Sequence, residues 1–96
     1  MTREYILSTL SNHLGIIKQK FGVDRIGLFG SYAKNTYSND SDIDIYVEFK
    51  TKTYDNLAGL WNYLESLYNK KIDLVHKHKR ANKIILENIQ KEVIYG

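Results

Sequence analysis

Apolar residues recur along this chain at two different periods. Leu7, Leu10, Leu14, Ile17 and Phe21 follow one another at steps of three and four, which marks one face of an amphipathic helix. Gly22 comes next, where a helix stop is expected. "RIGLFG", ending at Gly30, reads as a short buried strand, and "SYAKN" has room for one or two helical turns. "TYSNDS" is a loop by composition. "DIDIYVEF" is rich in Ile, Tyr, Val and Phe and predicts a second strand. Leu57, Leu60, Trp61, Leu64 and Leu67 return to helical spacing, "KKIDLV" predicts a third strand, and Ile85, Leu86, Ile89 and Val93 a last helix. The closing "EVIYG" fits either a helix end or a short strand. Helix, strand, short helix, strand, helix, strand, helix is the order of an α/β (α+β) domain. Its sheet is expected to be small, mixed or parallel, with three to four strands under helices. The pattern does not specify which strands pair.

Composition narrows the setting. At 96 residues the chain has room for one core, so residues 1–96 are read as a single domain. No apolar run approaches membrane-span length, and "MTREYILSTL" lacks the features of a signal peptide. Cysteine is absent, which excludes a disulfide framework and thiolate metal sites. A cytoplasmic location is the expectation. The net charge of +3 suits anionic ligands but is too weak to imply nucleic acid, and no membrane partner is expected.

Charge placement is more informative than charge total. Asp40, Asp42 and Asp44 stand at alternate positions, and the last two run into the second strand. Side chains alternate across a strand, so Asp42 and Asp44 share one face while Ile43 and Ile45 point to the other. Two carboxylates roughly 6 to 7 Å apart along a strand repel unless a cation lies between them. Hard oxygen donors favour Mg²⁺ or Mn²⁺. Taken alone, the pair reads equally well as solvated acids at a strand mouth. A calcium loop is excluded, since its pattern needs Gly where Ile45 stands and Glu where Thr51 stands. Upstream, Gly30 and Ser31 sit where the first strand turns into the short helix, and Lys34 lies one turn on. A Gly there admits a phosphate close to the backbone, and helix-start N–H groups attract anions. A phosphate cradle and a carboxylate pair thus fall within one strand–loop–strand unit.

Gly30-Ser31, ten residues, then Asp42-Ile43-Asp44 resembles the signature of the polymerase-beta-like nucleotidyltransferase superfamily. "GLFGSYAKNTYSNDSDIDIYVEF" is similar to its minimal branch, the MNT domains, over essentially the whole chain. The resemblance implies that Asp73, in the otherwise apolar "KIDLV", is a third carboxylate contributed by a neighbouring strand. It departs at Lys34-Asn35, where the family often has Arg-Gly. Lys keeps the charge and loses the bidentate fork, whereas Asn tolerates the left-handed backbone that Gly would take.

The reaction implied is nucleotidyl transfer from a nucleoside triphosphate, in which positioning and charge neutralisation do most of the work. By resemblance, Asp42, Asp44 and Asp73 are the catalytic acids and metal ligands for two Mg²⁺ ions (Mn²⁺ as substitute). Gly30, Ser31 and Lys34 hold the nucleotide phosphates. The implied partner is a HEPN toxin, and the implied activity is transfer of AMP from ATP to a tyrosine hydroxyl of that partner. That is the role of an antitoxin in a type VII toxin–antitoxin module. Two rivals stand beside it: neutralisation of the partner by contact alone, and transfer to a small molecule or an RNA end. Direct nucleic-acid binding is not expected. His76 and His78 are unassigned, and the basic stretch from His76 to Lys83 reads as a solvated connection or a phosphate or acidic-partner contact. Tyr32, Tyr37 and Tyr46 are candidates for adenine stacking or for packing.

Overall fold

In the computed structural model, which describes residues 1–78 and 82–96, the order of elements matches the hydrophobic pattern. Helix α1 spans Arg3–Phe21, strand β1 Val23–Phe29, helix α2 Gly30–Lys34 and strand β2 Ile43–Phe49. Helix α3 then spans Tyr54–Tyr68, strand β3 Ile72–His76, helix α4 Lys83–Glu92 and strand β4 Ile94–Tyr95. The ambiguous carboxyl end is therefore a short strand.

Local chemistry sets the element ends. Thr2 and Thr53 open α1 and α3 by accepting the backbone N–H groups of Tyr5 and Asn56, a capping bond worth roughly 1 kcal/mol each. Gly22 closes α1 in the left-handed region at φ 62°, as its position after the last apolar residue predicts. Asn35 closes α2 at φ 63°, the conformation in which Asn stands in for Gly.

The sheet order is β3-β2-β1-β4. β1 and β2 are antiparallel, β2 and β3 parallel, and β4 pairs antiparallel with β1. One face carries Ile26, Leu28, Ile43, Ile45, Val47, Ile72 and Leu74, all buried in one core with Ile6, Leu10 and Ile17 of α1 and Leu60 and Leu64 of α3. Each such side chain contributes on the order of 1.5–3 kcal/mol through burial. The Tyr68 hydroxyl ties the two helices together by donating to the Ile6 carbonyl at 2.8 Å.

Register assigns the other face a different character. Phe29 lies opposite Asp44, Asp44 beside Asp73, Gly27 opposite Tyr46, and Arg25 opposite Glu48. This face is shielded by α4 through polar contacts. Gln90 Nε2 donates to the Tyr46 hydroxyl at 3.0 Å, and that hydroxyl donates to Glu48 at 2.8 Å. Arg25 completes the row with a 2.9 Å bond to the same carboxylate oxygen. None of the residues of α4 is fully buried.

Candidate active site

The site begins where β1 ends. Gly30 adopts φ +73°, and a Cβ there would overlap the carboxylate of Asp44. Two independent constraints thus require glycine: the backbone conformation and the close approach of a side chain from the next strand. The five-residue α2 is anchored by buried Tyr32 and Ala33 and closed by bonds from Asn35 and Thr36 N–H to the Tyr32 and Ser31 carbonyls. Tyr37 stacks on Tyr32 with ring centroids 4.3 Å apart. Tyr32 is therefore a packing residue, and so is fully buried Tyr46.

Asp44 and Asp73 are partners in the parallel ladder and extend from the same face. Asp44 is half-buried, while Asp42, just before β2, and Asp73 are exposed. The Asp44 carboxyl is pushed up from 3.8 to about 6. Burial is the largest cause, followed by the charge of Asp73, a shared hydrogen bond with it, and the charge of Asp42; the Ser31 N–H acts in the opposite direction. Lys71 Nζ stands 4.0 Å from Asp42. Among the described residues no three acid or imidazole side chains close around one point. The structure therefore gives a tight Asp44–Asp73 pair with Asp42 at its rim. That donor set fits a hard divalent cation: it is all oxygen, beside a backbone N–H, and its mutual repulsion falls when positive charge is placed between its members.

Of the other expected site residues, Ser31 lies against Asp44 through its N–H. Lys34 is turned elsewhere: its Nζ is 3.0 Å from Glu92 at the end of α4. His76 and His78 lie against each other with ring centroids 4.8 Å apart. Burial, then Lys52, then His78, keeps His76 below the usual imidazole range. Lys79, Arg80 and Ala81 of the basic stretch lie outside the described residues. Sequence reasoning missed Lys71, Glu48, Gln90 and Glu92. Glu48 continues the alternate-position row Asp44, Tyr46, Glu48, and Lys71 stands two residues before Asp73, just ahead of β3; these were the signals available. Gln90 and Glu92 had none. No described helix is long and apolar enough to cross a membrane.

Comparison with known proteins gives this geometry a family. The "Polymerase beta, Nucleotidyltransferase" family matches residues 13–96. The protein adenylyltransferase MntA of Thermococcus cleftensis is 36% identical over 96 residues, covering 99% of this chain and 96% of its own. A solved structure described as a minimal nucleotidyltransferase superposes with TM-score 0.83 at 27% identity, covering 98% of this chain and 95% of the other. A solved complex of a tri-AMPylated Shewanella oneidensis HEPN toxin with its MNT antitoxin matches with TM-score 0.59 at 25% identity, over 91% of this chain and 70% of the other. Sheet order, glycine–serine corner and acid pair together have one family home: the chain belongs to the polymerase-beta-like nucleotidyltransferases, as one of their minimal members.

Proposed function

We propose that this chain is a protein adenylyltransferase of an MNT/HEPN toxin–antitoxin pair, moving AMP from ATP to a tyrosine hydroxyl of its HEPN partner. The observation that carries the reading is the Asp44–Asp73 pair on adjacent parallel strands, set against the Gly30–Ser31 corner. Similarity to MntA and to the AMPylated-toxin complex supports the protein acceptor.

Asp44 and Asp73 would hold Mg²⁺, with Asp42 closing the site from its rim. When bound, the metal supplies charge neutralisation for the phosphates and a lowered pKa for the attacking hydroxyl. The Gly30 and Ser31 backbone would receive the phosphates at the corner beside Asp44. The tyrosine oxygen bonds to the α-phosphorus, the bond to the pyrophosphate oxygen breaks, and the phenolic proton passes to the Asp73 carboxylate. Asp73 suits that task because it is exposed, whereas Asp44 is half-buried and wedged against Gly30.

The test is to incubate the chain with ATP labelled in the α-phosphate, Mg²⁺ and a HEPN partner protein. Label on a tyrosine, found by mass spectrometry, and its loss with Asp44→Asn or on chelation, is the expected result. Toxin neutralised at full strength by the Asp44→Asn, Asp73→Asn double variant would overturn it.

A further inference from the structure

The Lys34–Glu92 ion pair joins α2, the helix that opens at the glycine–serine corner, to α4, the helix over the polar face of the sheet. We propose that Glu92 is a positioning residue for the nucleotide: it holds the Lys34 ammonium in the empty protein and yields it to the terminal phosphates when a nucleoside triphosphate occupies the corner. Nucleotide binding thereby releases the last turn of α4. The proposal deepens the adenylyltransferase reading and rests on it for the place of the phosphates.

Both members of the pair stand next to that corner. Lys34 is four residues beyond Gly30 on α2, and positions i and i+4 of a helix share a face. A helical side chain leans toward the helix N-terminus, so the Gly30–Ser31 corner lies within the sweep of the lysine stem. Glu92 arrives from the other end of the chain. Ile94 lies opposite Leu28, which brings the end of α4 level with the end of β1, where Gly30 follows. Lys34 is the only charged residue of α2. A triphosphate entering the corner therefore competes with the Glu92 carboxylate for one ammonium.

Two ion pairs on this side of the molecule differ in how firmly they are held. Glu48 is 13% exposed and accepts from both Arg25 and the Tyr46 hydroxyl, so its carboxylate is a fixed strut. In the Lys34–Glu92 pair the side chains are 55% and 39% exposed and the Nζ–Oε1 distance is 3.0 Å. So wet a contact contributes little to stability and changes partners at small cost. Its release is felt locally, because none of the residues of α4 is fully buried. The Gln90 bond to Tyr46 and the pairing of β4 with β1 keep the rest of the helix in place.

The test uses the full chain, Mg²⁺ and an ATP analogue with carbon bridging the α- and β-phosphorus atoms, which binds without transfer, and reads affinity by calorimetry. Glu92→Gln frees Lys34 and should tighten the analogue by about threefold to fivefold, the range an exposed ion pair supplies. Glu92→Asp, which keeps the charge on a shorter stem, should fall between the two. Lys34→Met should weaken binding severalfold, and on that background Glu92→Gln should have no effect. By linkage, the analogue should speed amide exchange in the last turn of α4 in the wild type and leave it unchanged in Glu92→Gln, where it is already fast. Unchanged or weaker binding by Glu92→Gln overturns the proposal. So does an equal gain with and without Lys34, which would make Glu92 a repulsive charge and nothing more, and so does slower α4 exchange on binding. Circular dichroism of each variant separates these outcomes from misfolding. Analogue binding indifferent to Glu92 refutes this proposal alone, whereas the expected pattern alongside failed adenylyl transfer to the HEPN protein refutes the enzymatic reading alone.

Discussion

Asp44 is the residue at which the demands of folding and of chemistry conflict. Its folded-state pKa of about 6 lies above its ordinary 3.8, so the native chain holds that proton to higher pH than the unfolded chain does. The stability linked to it is fully present below about pH 4 and lost as pH rises through 6. In metal-free buffer the melting temperature should fall between pH 4 and pH 7, and Asp44→Asn should remove this part of the slope. At pH 7 the same substitution should stabilise by about 1 kcal/mol, a figure discounted for the solvent that screens this half-buried group. For a domain of this size that is a rise of about 4–8 °C in Tm. Millimolar Mg²⁺ should raise the wild-type Tm at pH 7 and lose that effect toward pH 5, which thermal scans at several pH values would show. Gly30→Ala attacks the same place sterically. It strains the backbone at φ +73° and drives a methyl group into Asp44, so it should cost about 1–3 kcal/mol and abolish transfer, measured by denaturant melts and by the labelling assay. Residue type and spacing singled out Gly30, Ser31 and Asp44 as candidates, and only the family resemblance singled out Asp73; the structure sets Asp44 beside Asp73 and against Gly30. Lys34 was legible as a cation near the turn, but not as the partner of Glu92, since the pair is made only when α4 folds back.

Among the elements, α4 differs most from its neighbours. α1 and α3 are held by buried apolar stripes, whereas α4 exposes Ile84 and Ile85 and is held by Gln90 on Tyr46, by Glu92 on Lys34 and by β4. The Tyr46 hydroxyl is the centre of that attachment. Burial, the largest cause, together with Glu48 pushes its pKa up to about 12, so it remains a neutral donor at any working pH. Tyr46→Phe keeps the ring in place but breaks the link from Gln90 to Glu48. It should cost about 1–2 kcal/mol and speed amide exchange in α4 with little change in α1, read by hydrogen exchange. The periodicity of α4 predicted a helix correctly, and it predicted an apolar face as well. It carried no information that this face would be left largely outside the core. At the end of α2, Asn35→Gly should be near neutral and Asn35→Val should cost about 1–2 kcal/mol, because a β-branched residue resists the left-handed backbone at φ 63°.

At the scale of the molecule, everything depends on strand register. Asp73 sits beside Asp44 because β3 runs parallel to β2 with Ile72 against Ile43. A slip of one residue would turn Asp73 into the core and Leu74 out of it. The double variant Asp44→Asn, Asp73→Asn should therefore keep the fold, since neither side chain is in the core, while losing adenylyl transfer; circular dichroism and the labelling assay check the two halves. By itself the sequence determined the elements, because hydrophobic period and turn residues are local properties. It also singled out the acids and the glycine–serine corner as the candidate site, because those residues are few and distinctively spaced. Only the tertiary structure decided that β2 lies between β1 and β3, that the acids form a close pair with Asp42 at the rim, and that α4 takes Lys34. Each of these is a relation between segments far apart in the chain, set by which apolar faces meet in the core, and no local pattern of residue types encodes that pairing.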